Sequence, residues 1–112
     1  MNAQTEPTDL AALLDGEGYL VDPEHWTEAL AEELARREGI ALEPDHWRVI
    51  RFMRQWYEEH RLTPDARHVM RELDHHYPGR GRAPLFELFP YGYVGQACKV
   101  AGMKRPRAWS TG

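Results

Sequence analysis

Three prolines constrain this chain more than any other feature. Pro23, Pro44 and Pro64 follow Asp22, Glu43 and Thr63, so each pair reads as the opening of a helix. Proline has no N–H and a fixed φ, which suits the first turn of a helix and disrupts its interior. The apolar residues behind each proline repeat with helical spacing. Trp26, Leu30 and Leu34 recur at i, i+4 and i+8 until Gly39 stops the run. Trp47, Ile50, Met53 and either Trp56 or Tyr57 form one broad stripe, and Ala66, Val69, Met70 and Leu73 form another.

The flanking segments are shorter. Residues 1–9 are expected to be disordered. Leu10 to Val21 reads as a small hairpin, because Asp15-Gly16-Glu17-Gly18 supplies two glycines for a tight turn before Tyr19-Leu20-Val21. Tyr77 to Ala83 reads as a loop, Pro84 to Phe89 as a short helix stopped by Pro90, and Gly92 to Ala101 as a last helical segment closed by Gly102. Met103 to Gly112 has no periodicity and is expected to be an extended arm. The expected fold is therefore mainly α with a small N-terminal β-hairpin, an orthogonal helical bundle whose short connections also permit a helix-turn-helix-like core. One domain over 10–102 is expected, followed by the arm at 103–112.

Charge is divided along the chain. Residues 1–79 hold 8 Lys and Arg against 17 Asp and Glu, whereas residues 80–112 hold 6 against 1. An acidic body with a basic tail points to an anionic partner for the tail, or simply to a well-solvated tail. The overall net charge of −4 gives no general case for nucleic-acid binding. The single cysteine excludes an intramolecular disulfide, and no apolar run is long enough to span a membrane. A cytoplasmic location is expected.

Cys98 is the first candidate for chemistry. Lys99, Lys104, Arg105 and Arg107 stand close in sequence, and cations favour the thiolate. Two considerations oppose that reading: Ala97 and Val100 flank it as a small core residue would be flanked, and a helix C-terminus disfavours an anion. No cofactor or metal is expected, since His25, His46, His60, His68 and the adjacent His75-His76 lack metal-ligand spacing and suit solvated or capping roles. Trp26, Trp47 and Trp56 have core spacing. Trp109 stands in a polar tail, where an aromatic either folds back or anchors the arm in a partner.

The run Asp15-x-Glu17-Gly18-Tyr19-Leu20, Trp26, Glu38-Gly39-Ile40-x-Leu42, His46-Trp47-x-Val49-Ile50, Phe52 with Arg54, Pro64-x-x-Arg67, Leu88-Phe89-Pro90 and Gln96-Ala97-Cys98-Lys99-x-Ala101-Gly102 resembles the DsrC/TusE family over about residues 12–108. The resemblance implies a helical fold with a flexible C-terminal arm and no cofactor. It implies partners in a sulfur relay: TusBCD/DsrEFH-like carriers upstream, and dissimilatory sulfite reductase or a tRNA-thiolating enzyme downstream. Active members carry sulfur on a penultimate arm cysteine, and DsrC-type members have a second cysteine ten residues upstream. Cys98 matches the upstream one, and the tip position is Trp109. The usual Leu-Pro before the basic-Pro pair is Met103-Lys104 here.

Three functions follow as expectations. The chain is a degenerate, partner-binding or regulatory member, with Lys99, Lys104, Arg105, Arg107 and Trp109 as docking residues. Alternatively it is a working carrier with a Cys98 persulfide, or a DNA-binding regulator built on the helix-turn-helix-like core, although its helices lack a basic face.

Overall fold

The computed structural model of the protein describes residues 7–106. Six α-helices appear among them: α1 (Pro7–Leu13), α2 (Glu28–Arg37), α3 (Pro44–His60), α4 (Ala66–His76), α5 (Ala83–Leu88) and the single turn α6 (Cys98–Val100). A 3₁₀ turn (Pro23–His25) precedes α2, and a π-helical turn (Tyr93–Ala97) runs directly into α6. The mainly helical expectation holds, with differences at the element ends that have physical causes.

The expected disorder over residues 1–9 gives way to helix from Pro7 onward; residues 1–6 lie outside the described residues. Leu10, Ala11, Ala12 and Leu13 are strong helix formers, so α1 takes the arm of the hairpin that the turn signal alone had suggested. What remains of the hairpin is one antiparallel bridge, Leu14 to Leu20. Its turn is fastened by Asp15, whose carboxylate accepts from the N–H of Glu17 at 2.9 Å and of Tyr19 at 3.0 Å. Leu20 is fully buried, which gives the small turn something to pack on.

The run expected as one helix from Pro23 is two elements. Asp22 caps the 3₁₀ turn through the Glu24 N–H, the chain then extends at Trp26, and Thr27 caps α2 through the Leu30 N–H at 3.0 Å. A break there lets the Trp26 indole reach the C-terminal segment. α3 opens at Pro44 as expected, with the Glu43 N–H donating to His46 Nδ1 at 3.1 Å. α4 opens later than expected, at Ala66 rather than Pro64, because Asp65 is the capping residue and accepts from the Arg67 N–H.

Val49, Ile50 and Met53 of α3, Val69 and Leu73 of α4, and Leu85 and Phe89 around α5 enclose Tyr93, Ala97, Cys98 and Val100. The C-terminal segment is thus the centre of the core rather than its edge. Met103, expected as the first residue of a free arm, is fully buried in the same cluster, and Pro106 is buried too. Trp26 and Trp47 pack against the core from partly buried positions, in keeping with their spacing. Of Trp56 and Tyr57 it is Tyr57 that joins them, while Trp56, expected at a core position, lies against His60 and His68.

Candidate functional site at the base of the C-terminal arm

The segment that carries Cys98 begins at Gly92, whose φ of 92° admits little but glycine, and winds as a π turn rather than the regular helix its spacing suggests. The Cys98 N–H bonds back to the Tyr93 carbonyl, five residues earlier. In an α-helix residues five apart point about 140° away from each other. The wider turn brings them to one face. The Tyr93 hydroxyl there meets the Cys98 side chain and donates to the Pro64 carbonyl oxygen.

Cys98 is 0% exposed. Burial pushes its thiol up to about 12, and Tyr93 offsets this only in part, since its single proton is directed at Pro64. Burial likewise drives the Tyr93 phenol far above its ordinary range. Lys99, Lys104 and Arg105, expected to favour a thiolate, are not among the causes acting on Cys98; desolvation governs the thiol. At neutral pH this side chain is a neutral core residue.

The end of the segment is held firmly. Gly102 N–H bonds to the Lys99 carbonyl at 3.1 Å and Met103 N–H to the Cys98 carbonyl at 2.9 Å, the paired bonds of a Schellman close. Gly102 has φ of 76°, and a Cβ there would lie 2.4 Å from Trp26 Cδ1. The indole Nε1 donates to the Val100 carbonyl at 3.0 Å. Arg54 of α3 donates to the Ala101 carbonyl at 3.1 Å and to the Pro23 carbonyl at 2.9 Å, with its guanidinium 4.7 Å from the Trp26 ring centre. Burial lowers the Arg54 pKa, opposed by Glu58 and Glu24. Gln96, also buried, accepts from the Tyr91 N–H and donates to Glu38.

The basic residues converge elsewhere, on the Asp15–Tyr19 turn. Lys99 Nζ lies 5.4 Å from the centre of the Tyr19 ring and Arg105 Cζ 5.9 Å from it. Arg105 also pairs with Glu17 at 3.1 Å. Lys104 is exposed and helps to lower the Asp15 pKa, whose largest cause is the bond from the Tyr19 N–H. Tyr19 itself donates through its hydroxyl to the Val94 carbonyl, so the ring is fixed. Lys99, Lys104 and Arg105 are therefore brought together, and Cys98 lies beneath them with no opening to the surface. Arg107 and Trp109 lie outside the described residues.

Glu17, Tyr19, Trp26, Arg54 and Tyr93 complete the site without having been given roles from composition. All but Tyr93 fall within the segments that carry the family resemblance, and that was the available signal. Among the described residues no three His, Cys, Asp or Glu side chains group as a metal site, and no helix is long and apolar enough to cross a membrane. His46 is spent on structure: Nδ1 accepts from Glu43, and Nε2 donates to the Leu88 carbonyl at 2.8 Å.

Comparison with known proteins gives consistent findings. The family model described as "DsrC like protein" matches residues 7–108. Sulfurtransferase TusE of Pectobacterium atrosepticum is 43% identical over 95 residues, covering 82% of this chain and 86% of that one. Sulfurtransferase TusE of Escherichia coli K12 is 40% identical over the same length, with the same coverage. The oxidized gamma-subunit of the dissimilatory sulfite reductase (DsrC) from Archaeoglobus fulgidus superposes with a TM-score of 0.73 at 31% identity, covering 83% of this chain and 87% of that one. DsrC of Allochromatium vinosum superposes at 0.72 with 33% identity, covering 85% and 87%. With Trp26, Arg54 and Tyr19 of the resembling segments all fastened to the segment that carries Cys98, and the family model matching residues 7–108, this chain belongs to the DsrC-like family.

Proposed function

We propose that this protein works in a sulfur relay by binding relay partners rather than by carrying sulfur on its arm. Similarity to proteins named sulfurtransferase TusE supports the relay role. The observation that carries the finer reading is the state of its one cysteine: Cys98 is enclosed, with its thiol pushed up to about 12. A persulfide forms when a thiolate attacks a sulfur donor, so a protonated, unreachable thiol is a poor acceptor. The tip position, where active relatives place their carrier cysteine, holds Trp109. The basic arm base and Trp109 then serve docking, and the protein regulates or competes with a sulfur-bearing relative for carriers of the TusBCD or DsrEFH kind, or for the acceptor downstream.

Two measurements test this. Native protein incubated with a persulfide donor and weighed intact is expected to gain no 32 Da adduct, while protein in denaturant does, because Cys98 is then free. A native adduct lost in Cys98→Ser would establish the carrier reading instead. Mixed with a TusBCD-type complex, the native chain is expected to co-elute; failure to associate would remove the partner-binding role. The DNA-binding reading has weaker support. α3 and α4 interleave exposed Arg48, Arg51, Arg67 and Arg71 with Glu58, Glu59 and Asp74, whereas DNA contacts need a coherent basic face.

A further inference from the structure

We propose that Glu17 is a built-in occupant of the basic patch at the arm base, holding in cis the place where a carboxylate of an acidic partner segment docks. The inference rests on the partner-binding reading and adds a regulatory contact to it. Residues 80–112 carry 6 cations against 1 acid, so this end of the chain calls for anions from outside its own segment. The first anion it meets belongs to the same molecule. Glu17 pairs with Arg105 at 3.1 Å across 88 residues of sequence, and Lys99 and Arg105 flank the Tyr19 ring.

The turn is shaped for this presentation. Asp15 is turned inward to the Glu17 and Tyr19 N–H groups, which commits its carboxylate to the backbone. Glu17 is left with its side chain 60% exposed at the tip of the turn, where it pairs with Arg105. Tyr19 is immobilised by its bond to Val94, so the platform does not depend on Glu17. A partner carboxylate approaching Lys99, Lys104 and Arg105 therefore exchanges with Glu17 rather than entering a vacant site. The contact lowers affinity for acidic segments in general, and a partner succeeds by bringing more than one carboxylate.

The full chain titrated with a hexaglutamate peptide at low ionic strength tests the proposal, with the Arg105 Nε–Hε and Lys104 amide signals followed by NMR. An exposed ion pair of this kind is worth up to about 1 kcal/mol. Glu17→Gln is therefore expected to bind about two- to fivefold more tightly than the natural protein, and Glu17→Ala likewise. Arg105→Gln is expected to bind more weakly than either, and adding Glu17→Gln to it should restore little. Equal or weaker binding by both Glu17 variants overturns the proposal, as does the absence of any perturbation at Arg105. The partner-binding reading falls on a different result, the failure of the natural protein to associate with a relay complex.

Discussion

Cys98 shows how environment overrides sequence neighbourhood. Lys99 is adjacent in the chain, yet its ammonium lies over Tyr19 on the surface while the thiol points into a core of apolar groups and Tyr93. A folded-state pKa raised to about 12 from an ordinary 9.0 has a thermodynamic consequence. The folded protein keeps a proton that the unfolded chain releases above about pH 9, so the contribution is fully present below that pH and is lost as pH rises toward 12. Between pH 9 and pH 10 this amounts to about 1 kcal/mol. Urea unfolding at the two pH values should show that fall in the natural protein and a smaller one in Cys98→Ala. An identical fall in both would mean that the buried thiol contributes nothing to the alkaline limb. Gly102 gives a sharper test. Gly102→Ala places a methyl 2.4 Å from Trp26 Cδ1 at a φ of 76°, and its neighbour is a ring held by a hydrogen bond. A loss of about 3 kcal/mol in unfolding free energy is expected, with tryptophan fluorescence altered as the indole shifts.

At the scale of elements, Arg54 joins three that are distant in sequence. It spans the Pro23 carbonyl of the 3₁₀ turn and the Ala101 carbonyl after α6 from its place on α3, and it covers the Trp26 ring. A lysine can satisfy one such carbonyl but not two diverging ones, and it lacks a planar face for the indole. Arg54→Lys is therefore expected to cost about 2 kcal/mol, with hydrogen exchange quickening at Gly102 and Met103 before the rest of the fold. Coupling to Trp26→Phe in a double-mutant cycle should be of the same order as a single buried hydrogen bond, about 1 kcal/mol. These contacts also explain which elements were legible in advance. Proline with a capping partner marked the start of α3 to the residue, because both signals are local. The break at Trp26 was not legible from a helical repeat through Trp26, Leu30 and Leu34, since its cause is a carbonyl at Val100, 74 residues away. The π turn was hidden for the same reason: Tyr93 and Cys98 share a face only because both must enter one core.

For the whole molecule, the charge division read from the sequence has a structural counterpart, since the acidic turn and the basic arm base meet at Glu17 and Arg105. The helical class and the family motifs were also legible, because they depend on residue types at fixed short spacing. The enclosure of Cys98 was open to two readings, and only packing decides between them. That enclosure separates fold from chemistry in this protein. The hub of Tyr93, Cys98, Trp26 and Arg54 is held together by hydrogen bonds and packing within the described residues. On the proposed reading, the difference from sulfur-carrying relatives lies at position 109, which is tryptophan here. If the body is otherwise competent, returning a cysteine to that one position should suffice for sulfur uptake. Trp109→Cys treated with a hydropersulfide donor is expected to gain 32 Da under native conditions, the donor leaving as its thiol while the arm cysteine takes the outer sulfur. Peptide mapping should place the adduct at position 109 and leave Cys98 unmodified. An adduct on Cys98 instead, or on neither residue, would mean that burial of Cys98 and the exchange at position 109 do not account for the difference from sulfur-carrying relatives.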